Sequence, residues 1–196
     1  MRRPRLRDEK GAVAVEAAII LPVLCLLVFG IIEFGMLFRA NITVSQSARA
    51  GARTAVALPR YAGYQTAAAN AVAAQLRNTL GSDEIQYLTI YKANKVTGLP
   101  ASGAGYKTCT TDCYRFTWNS STNAWIPVTG AAWLPTAQNA CGKTESDTDY
   151  LGVYVEGRYT WKTGLFNPIF GNATTISERT VMRLEPLGGT GACLAS

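Results

Sequence analysis

From Gly11 to Phe38 the chain reads GAVAVEAAIILPVLCLLVFGIIEFGMLF, an apolar stretch interrupted only by Glu16 and Glu33. A run of this kind leaves few architectures open. Residues 17 to 38 alone make 22 residues, about 33 Å of helix at about 1.5 Å per residue, against a bilayer hydrocarbon core of about 30 Å. The segment is long enough to cross a membrane. The residues before it form a short basic tail, in which Arg2, Arg3, Arg5, Arg7 and Lys10 outweigh Asp8 and Glu9. That tail carries net +3, half of the +6 on the whole chain. Positive charge beside the start of a membrane run holds that end in the cytoplasm, which predicts a single pass with the amino terminus inside and the remainder outside. Arg39 on the far side weakens this bias without reversing it. Half of the basic excess is thus a topology signal, and no nucleic-acid role is expected. A removable secretory signal is the competing reading, because Ala48-Arg49-Ala50 has the small-x-small form of a signal peptidase site. The apolar run is longer than the core of such a signal and ends well before that site.

The two carboxylates add information, since an ionised group in hydrocarbon is rare unless it has a partner. Glu33 stands about one turn from the outer end of the run and is expected to snorkel to the interface. Glu16 stands five residues after Gly11. A basic tail, a glycine, four apolar residues, a glutamate and a long apolar helix form the arrangement that a prepilin peptidase cuts. Cleavage after Gly11 would free the amine of Ala12, and in an assembly Glu16 would pair with the Ala12 amine of a neighbouring subunit. The alternative is an ordinary signal anchor in which Glu16 marks the cytoplasmic edge.

Beyond Phe38 remain 158 residues, enough for one extracytoplasmic domain with its own core. The first helix is expected to continue to Leu58, where Pro59 ends it, with Pro22 as a possible kink. Val44, Ala48, Gly51, Ala52 and Ala55 recur at spacings of three and four, a small-residue face expected to pack on the protein's own sheet, with Arg49 and Arg53 opposite. Residues 61 to 80 are alanine-rich and predict a second helix stopped by Gly81. The texture then changes to β-branched and aromatic residues, which predict strands at 85–92, 114–118, 124–128, 150–161 and 174–184. Helices followed by an antiparallel sheet make an α+β fold. The expected division is a basic cytoplasmic leader at 1–11, a transmembrane helix at 12–38, extracytoplasmic helices at 39–81 and a β-rich, disulfide-containing domain at 82–196.

Cysteine usage fits export. Cys25 lies in the apolar run, whereas Cys109, Cys113, Cys141 and Cys193 all fall in the external part. Two disulfides are expected from these four, with three possible connectivities. A four-thiolate zinc site is the rival, disfavoured because there is no CxxC pair and the chain has no histidine. No metal or cofactor is therefore expected. The missing histidine also excludes Ser-His and Cys-His nucleophile pairs, so no enzyme is expected. Glu145, Asp147 and Asp149 cluster without the glycine and terminal glutamate of an EF-hand loop and read as a solvated loop, as does Ala101 to Lys107, which lacks P-loop spacing. Trp118, Trp125, Trp133, Tyr154, Tyr159 and Trp161 are read mainly as core, with an outward sugar- or partner-binding surface as the other possibility.

Taken in order, five pieces resemble TadE-like proteins, the minor pilins or pseudopilins of tight-adherence (Flp, type IVc) pilus systems. They are the Gly11 to Glu16 start, the early proline, the segment Phe29-Gly30-Ile31-Ile32-Glu33-Phe34-Gly35, the block Ala48-Arg49-Ala50-Gly51-Ala52-Arg53 and the closing Val181-Met182-Arg183-Leu184-Glu185. The resemblance covers residues 11 to 58 best. It implies a pilin-like external domain, leader removal between Gly11 and Ala12, Glu16 as the determinant for peptidase and assembly, and other minor pilins as partners in the cytoplasmic membrane or at a surface fibre. Major pilins of these systems are similar at the start but shorter and usually carry Tyr after the glutamate, where this chain has Ala17. The runner-up reading is a membrane-anchored extracytoplasmic binding module with no pilus role.

Overall fold

The computed structural model describes residues 10–128, 132–140 and 148–187. One helix, α1 (Lys10–Val56), runs without interruption through Pro22. Its 47 residues span about 70 Å at about 1.5 Å each, so the apolar run and the small-residue segment beyond it are one rigid rod. Its two halves differ in surroundings. From Gly11 to Phe29 every residue is exposed, whereas Ala40, Val44, Ala48, Ala52 and Ala55 are buried to within 1%. Ala48-Arg49-Ala50 lies in the middle of this helix with Ala48 fully buried.

The second helix, α2 (Tyr64–Leu76), packs against the upper half of α1 through Ala68, Ala69, Val72, Ala73 and Leu76. It is shorter than predicted at both ends. Arg60 and Gly63 take left-handed backbone conformations (φ 59° and 103°) before it, and the chain leaves it through turns at residues 77–80 that include Asn78 and Thr79, poor helix formers. At Gly51 of α1 the two helices meet closely: a Cβ there would lie 2.5 Å from Val72 Cγ2 and 3.4 Å from Val153 Cγ1.

Five strands follow, β1 (Ile85–Ala93), β2 (Cys113–Asn119), β3 (Ala124–Val128), β4 (Tyr150–Thr160) and β5 (Ala173–Arg183). They form one antiparallel sheet in the order β3-β2-β1-β4-β5, each strand within a residue or so of the predicted limits. The α+β reading holds. Leu88, Ile90, Phe116, Leu151, Val153, Val155 and Ile176 face the helices and are buried with them in the main core. The opposite face is covered near β1 and β4 by the loop between β1 and β2. That loop stacks Tyr106 on Tyr154 with ring centroids 4.2 Å apart, and Cys109 and Cys113 are disulfide-bonded at its end. On this face the Tyr91 ring fills the place a Cβ of its cross-strand neighbour Gly152 would occupy. The closing segment returns to α1: Leu184 is buried, and the Glu185 amide donates to the Val56 carbonyl at 3.2 Å.

Candidate functional site

The helical periodicity that places Ala40, Val44, Ala48 and Ala52 on the domain-facing side of α1 extends downward through Leu37 to Glu33 and Gly30. Glu33 is the lowest fully buried residue of this face, with 0% exposure. This corrects the expectation that Glu33 snorkels to water. Its carboxylate is capped instead by the end of β4 and the residues just after it. Tyr159 Oη donates to Oε1 at 2.9 Å, the Lys162 amide donates to Oε1 at 2.8 Å and the Thr163 amide donates to Oε2 at 2.8 Å. None of the three donors carries charge. A carboxylate removed from water is tolerated when several donors replace its hydration, and hydrogen bonds to charged groups are the stronger kind, about 1.5–3 kcal/mol each.

A second carboxylate completes the clamp. Glu84, in the single 3-10 turn before β1, accepts from Lys162 Nζ at 2.6 Å, from the Gly81 amide at 2.9 Å and from the Thr160 amide at 3.2 Å. Burial pulls the Glu84 pKa up, but these donors outweigh it and hold the group below the ordinary glutamate value. Lys162 thereby joins the two acids, its amide on Glu33 and its ammonium on Glu84. Aromatic rings close the clamp from below: Phe34 meets Phe166 at 5.2 Å and Trp161 at 6.4 Å, and Tyr159 meets Trp161 at 5.6 Å. The arrangement fixes the domain on the helix at a set height and rotation.

The sequence-predicted site residues sit elsewhere on the rod. Gly11 and Ala12 are exposed in the first turn of α1, and Glu16 one turn later is exposed and, among the described residues, has no hydrogen bond or ion pair. Glu16 and Glu33 stand seventeen positions apart, about 25 Å along the axis, and of the two only Glu33 has hydrogen-bond partners among the described residues. Cys109 and Cys113 form a disulfide, while Cys141 and Cys193 lie outside the described residues, as do Glu145, Asp147 and the leader before Lys10. Asp149 is held by Lys92 Nζ at 3.1 Å and by the Asn139 amide at 2.8 Å. Among the described residues no group of three or more Cys, Asp or Glu side chains could hold a metal ion. The aromatics read as core are so placed: Trp133 is fully buried, and Trp118 and Trp125 pack edge to face at 5.0 Å with Trp125 Nε1 donating to the Ala69 carbonyl at 2.9 Å.

Reasoning from sequence missed Tyr159, Lys162, Thr163 and Glu84. A signal for Glu33 was present, since it continues the spacing of Leu37, Ala40, Val44 and Ala48. Nothing local marks its donors, which lie 126 to 130 positions away.

The family model described as TadE-like protein matches residues 11–53, which covers the exposed run of α1, Glu33 and most of the packed half. No curated protein and no solved structure matches the chain.

Proposed function

We propose that this chain is a single-pass membrane minor pilin of the TadE-like kind, taking part in assembly or initiation of a tight-adherence pilus. The observation that carries the reading is the bare lower half of α1, an apolar rod bearing one acid, Glu16, that has no ion pair among the described residues, within the stretch that matches the family model. The helix is long and apolar enough to cross a membrane and its most apolar window is entirely unburied. The domain is held away from that half by the clamp at Glu33, which leaves the rod free for lateral packing with other subunits. In this reading a prepilin peptidase cuts between Gly11 and Ala12, and Glu16 then receives the Ala12 amine of a neighbour. The amino terminus faces the cytoplasm and the domain lies outside, in the membrane or at the cell-surface fibre.

The test is mass spectrometry of the native protein together with Glu16→Ala. A mature chain starting at Ala12, and a Glu16→Ala protein that inserts in the membrane but no longer co-purifies with pilus subunits, are the expected results. An intact Met1 on membrane-bound protein in cells with an active prepilin peptidase, or normal incorporation of Glu16→Ala, overturns the reading in favour of a plain anchor.

A further inference from the structure

The connection between β4 and β5 does not stay at the sheet edge. After Trp161 it descends along α1, so that Phe166 Cζ comes within 3.7 Å of where a Gly30 Cβ would be. Gly30 is three residues below Glu33, and its neighbours Phe29, Ile31 and Ile32 are 48%, 66% and 48% exposed. A span of about 20 residues suffices for a hydrocarbon core of about 30 Å. Counted from Ala17, it ends near residue 36, which puts Gly30 about 9 Å inside at about 1.5 Å per residue. The tip of the connection therefore lies at hydrocarbon depth.

Its chemistry suits that depth. Residues 163 to 177 contain no charged side chain. At the tip Ile169 is 72% exposed and Phe170 54% exposed, next to Leu165 and Phe166. Its backbone closes on itself in a single helical turn, Asn167–Phe170: the Ile169 and Phe170 amides donate to the Phe166 carbonyl at 3.0 and 2.9 Å, and the Gly171 amide donates to the Asn167 carbonyl at 3.0 Å. These bonds reduce the number of backbone groups that lipid would leave unpaired, while the buried Asn167 Oδ1 has no hydrogen-bond partner among the described residues. Directly above, Lys162 keeps its ammonium on Glu84 with its side chain about half exposed, so that a charged group tops the apolar tip.

We propose that the β4–β5 turn is a lipid wedge that inserts Leu165, Phe166, Ile169 and Phe170 among the acyl chains of the leaflet on the domain's side of the bilayer. The wedge and α1 form a two-point attachment that fixes the tilt of the domain over the membrane, with Glu33 as the pin between them. The proposal rests on α1 crossing the bilayer. The test places the photocrosslinker p-benzoylphenylalanine at one of three positions in the full chain, Leu24 in the middle of the span, Ile169 at the wedge tip and Ile126 on β3, which is 45% exposed and remote from both. Each protein is reconstituted at low density in phosphatidylcholine–phosphatidylglycerol vesicles, irradiated and weighed. Phospholipid adducts are expected at positions 24 and 169, at least ten-fold above position 126. Adducts at 24 without adducts at 169, or cross-linked dimer at 169 in place of lipid, overturn the wedge and leave the span standing. Absence of adducts at 24 overturns the span and the wedge with it.

Discussion

Glu33 illustrates how a single side chain can decide where a domain sits. Its burial is offset only because three donors converge on it, so the cost of removing it is the cost of stranding them. Glu33→Ala leaves the Tyr159 hydroxyl and two amides without an acceptor, and at about 1–3 kcal/mol per unsatisfied buried group the expected loss is about 3 kcal/mol or more. Glu33→Gln keeps one acceptor oxygen but turns an amide NH2 toward an N–H donor, for an expected loss of about 1–2 kcal/mol. Denaturant unfolding in detergent micelles measures both, and equal stability of Glu33→Ala and the parent would show that the clamp holds nothing. The position was legible in the sequence as a continuation of the packed face. Its role was not, because a glutamate near the end of an apolar run also fits snorkelling, and the choice between the two is made by Tyr159 and Lys162, which no spacing connects to it.

At the scale of elements α1, α2 and β4 meet closely at Gly51. Gly51→Ala sets two opposed effects against each other. Replacing glycine by alanine inside a helix gains about 1 kcal/mol. The new Cβ, 2.5 Å from Val72 Cγ2, forces apart elements that are fully buried there, and overpacking of this kind costs about 1–3 kcal/mol. Val72 cannot swing into solvent, so the clash wins and a net loss of about 1 kcal/mol is expected. Val72→Ala in the Gly51→Ala background should cost markedly less than Val72→Ala alone, a coupling that a double-mutant cycle in thermal melts detects; additive behaviour would place the helices farther apart. The strands were legible almost to their ends because β-branched and aromatic alternation is a local signal. The second helix was predicted too long because its alanines favour helix everywhere, whereas its limits are imposed by left-handed turns at Arg60 and Gly63. The cover over the outer sheet face, with Tyr106 on Tyr154, was not legible, since a Gly- and Ser-rich loop carries no periodicity to show that it packs.

The molecule as a whole is a rod wrapped at one end, and its stability is bounded by acid on one side and by alkali on the other. Near neutrality no histidine is available to titrate, so stability is expected to be level there. On the acid side Glu84 has its folded-state pKa lowered while an unfolded glutamate titrates near about 4.3. A lowered pKa means that the unfolded chain takes up protons first. Stability is therefore full above about pH 5 and is lost as pH falls through the depressed folded value. On the alkaline side Tyr154 is pushed up to about 12 by burial and by its hydrogen bond to Glu156 at 2.6 Å, whereas an unfolded tyrosine ionises near about 10. Here the unfolded chain loses protons first, and stability falls as pH rises from about 10 through about 12. Thermal midpoints in micelles across pH 3 to 12 should therefore trace a plateau with two shoulders. Glu84→Gln should lower the plateau and shrink the acid shoulder, because it releases Lys162 from the clamp and removes a carboxylate whose folded-state pKa is lowered. Tyr154→Phe should soften the alkaline shoulder only in part, because burial also holds Tyr159, Tyr91 and Tyr64 above the ordinary tyrosine range, and it should leave the acid shoulder in place; an acid shoulder unchanged by Glu84→Gln would show that Glu84 does not carry it.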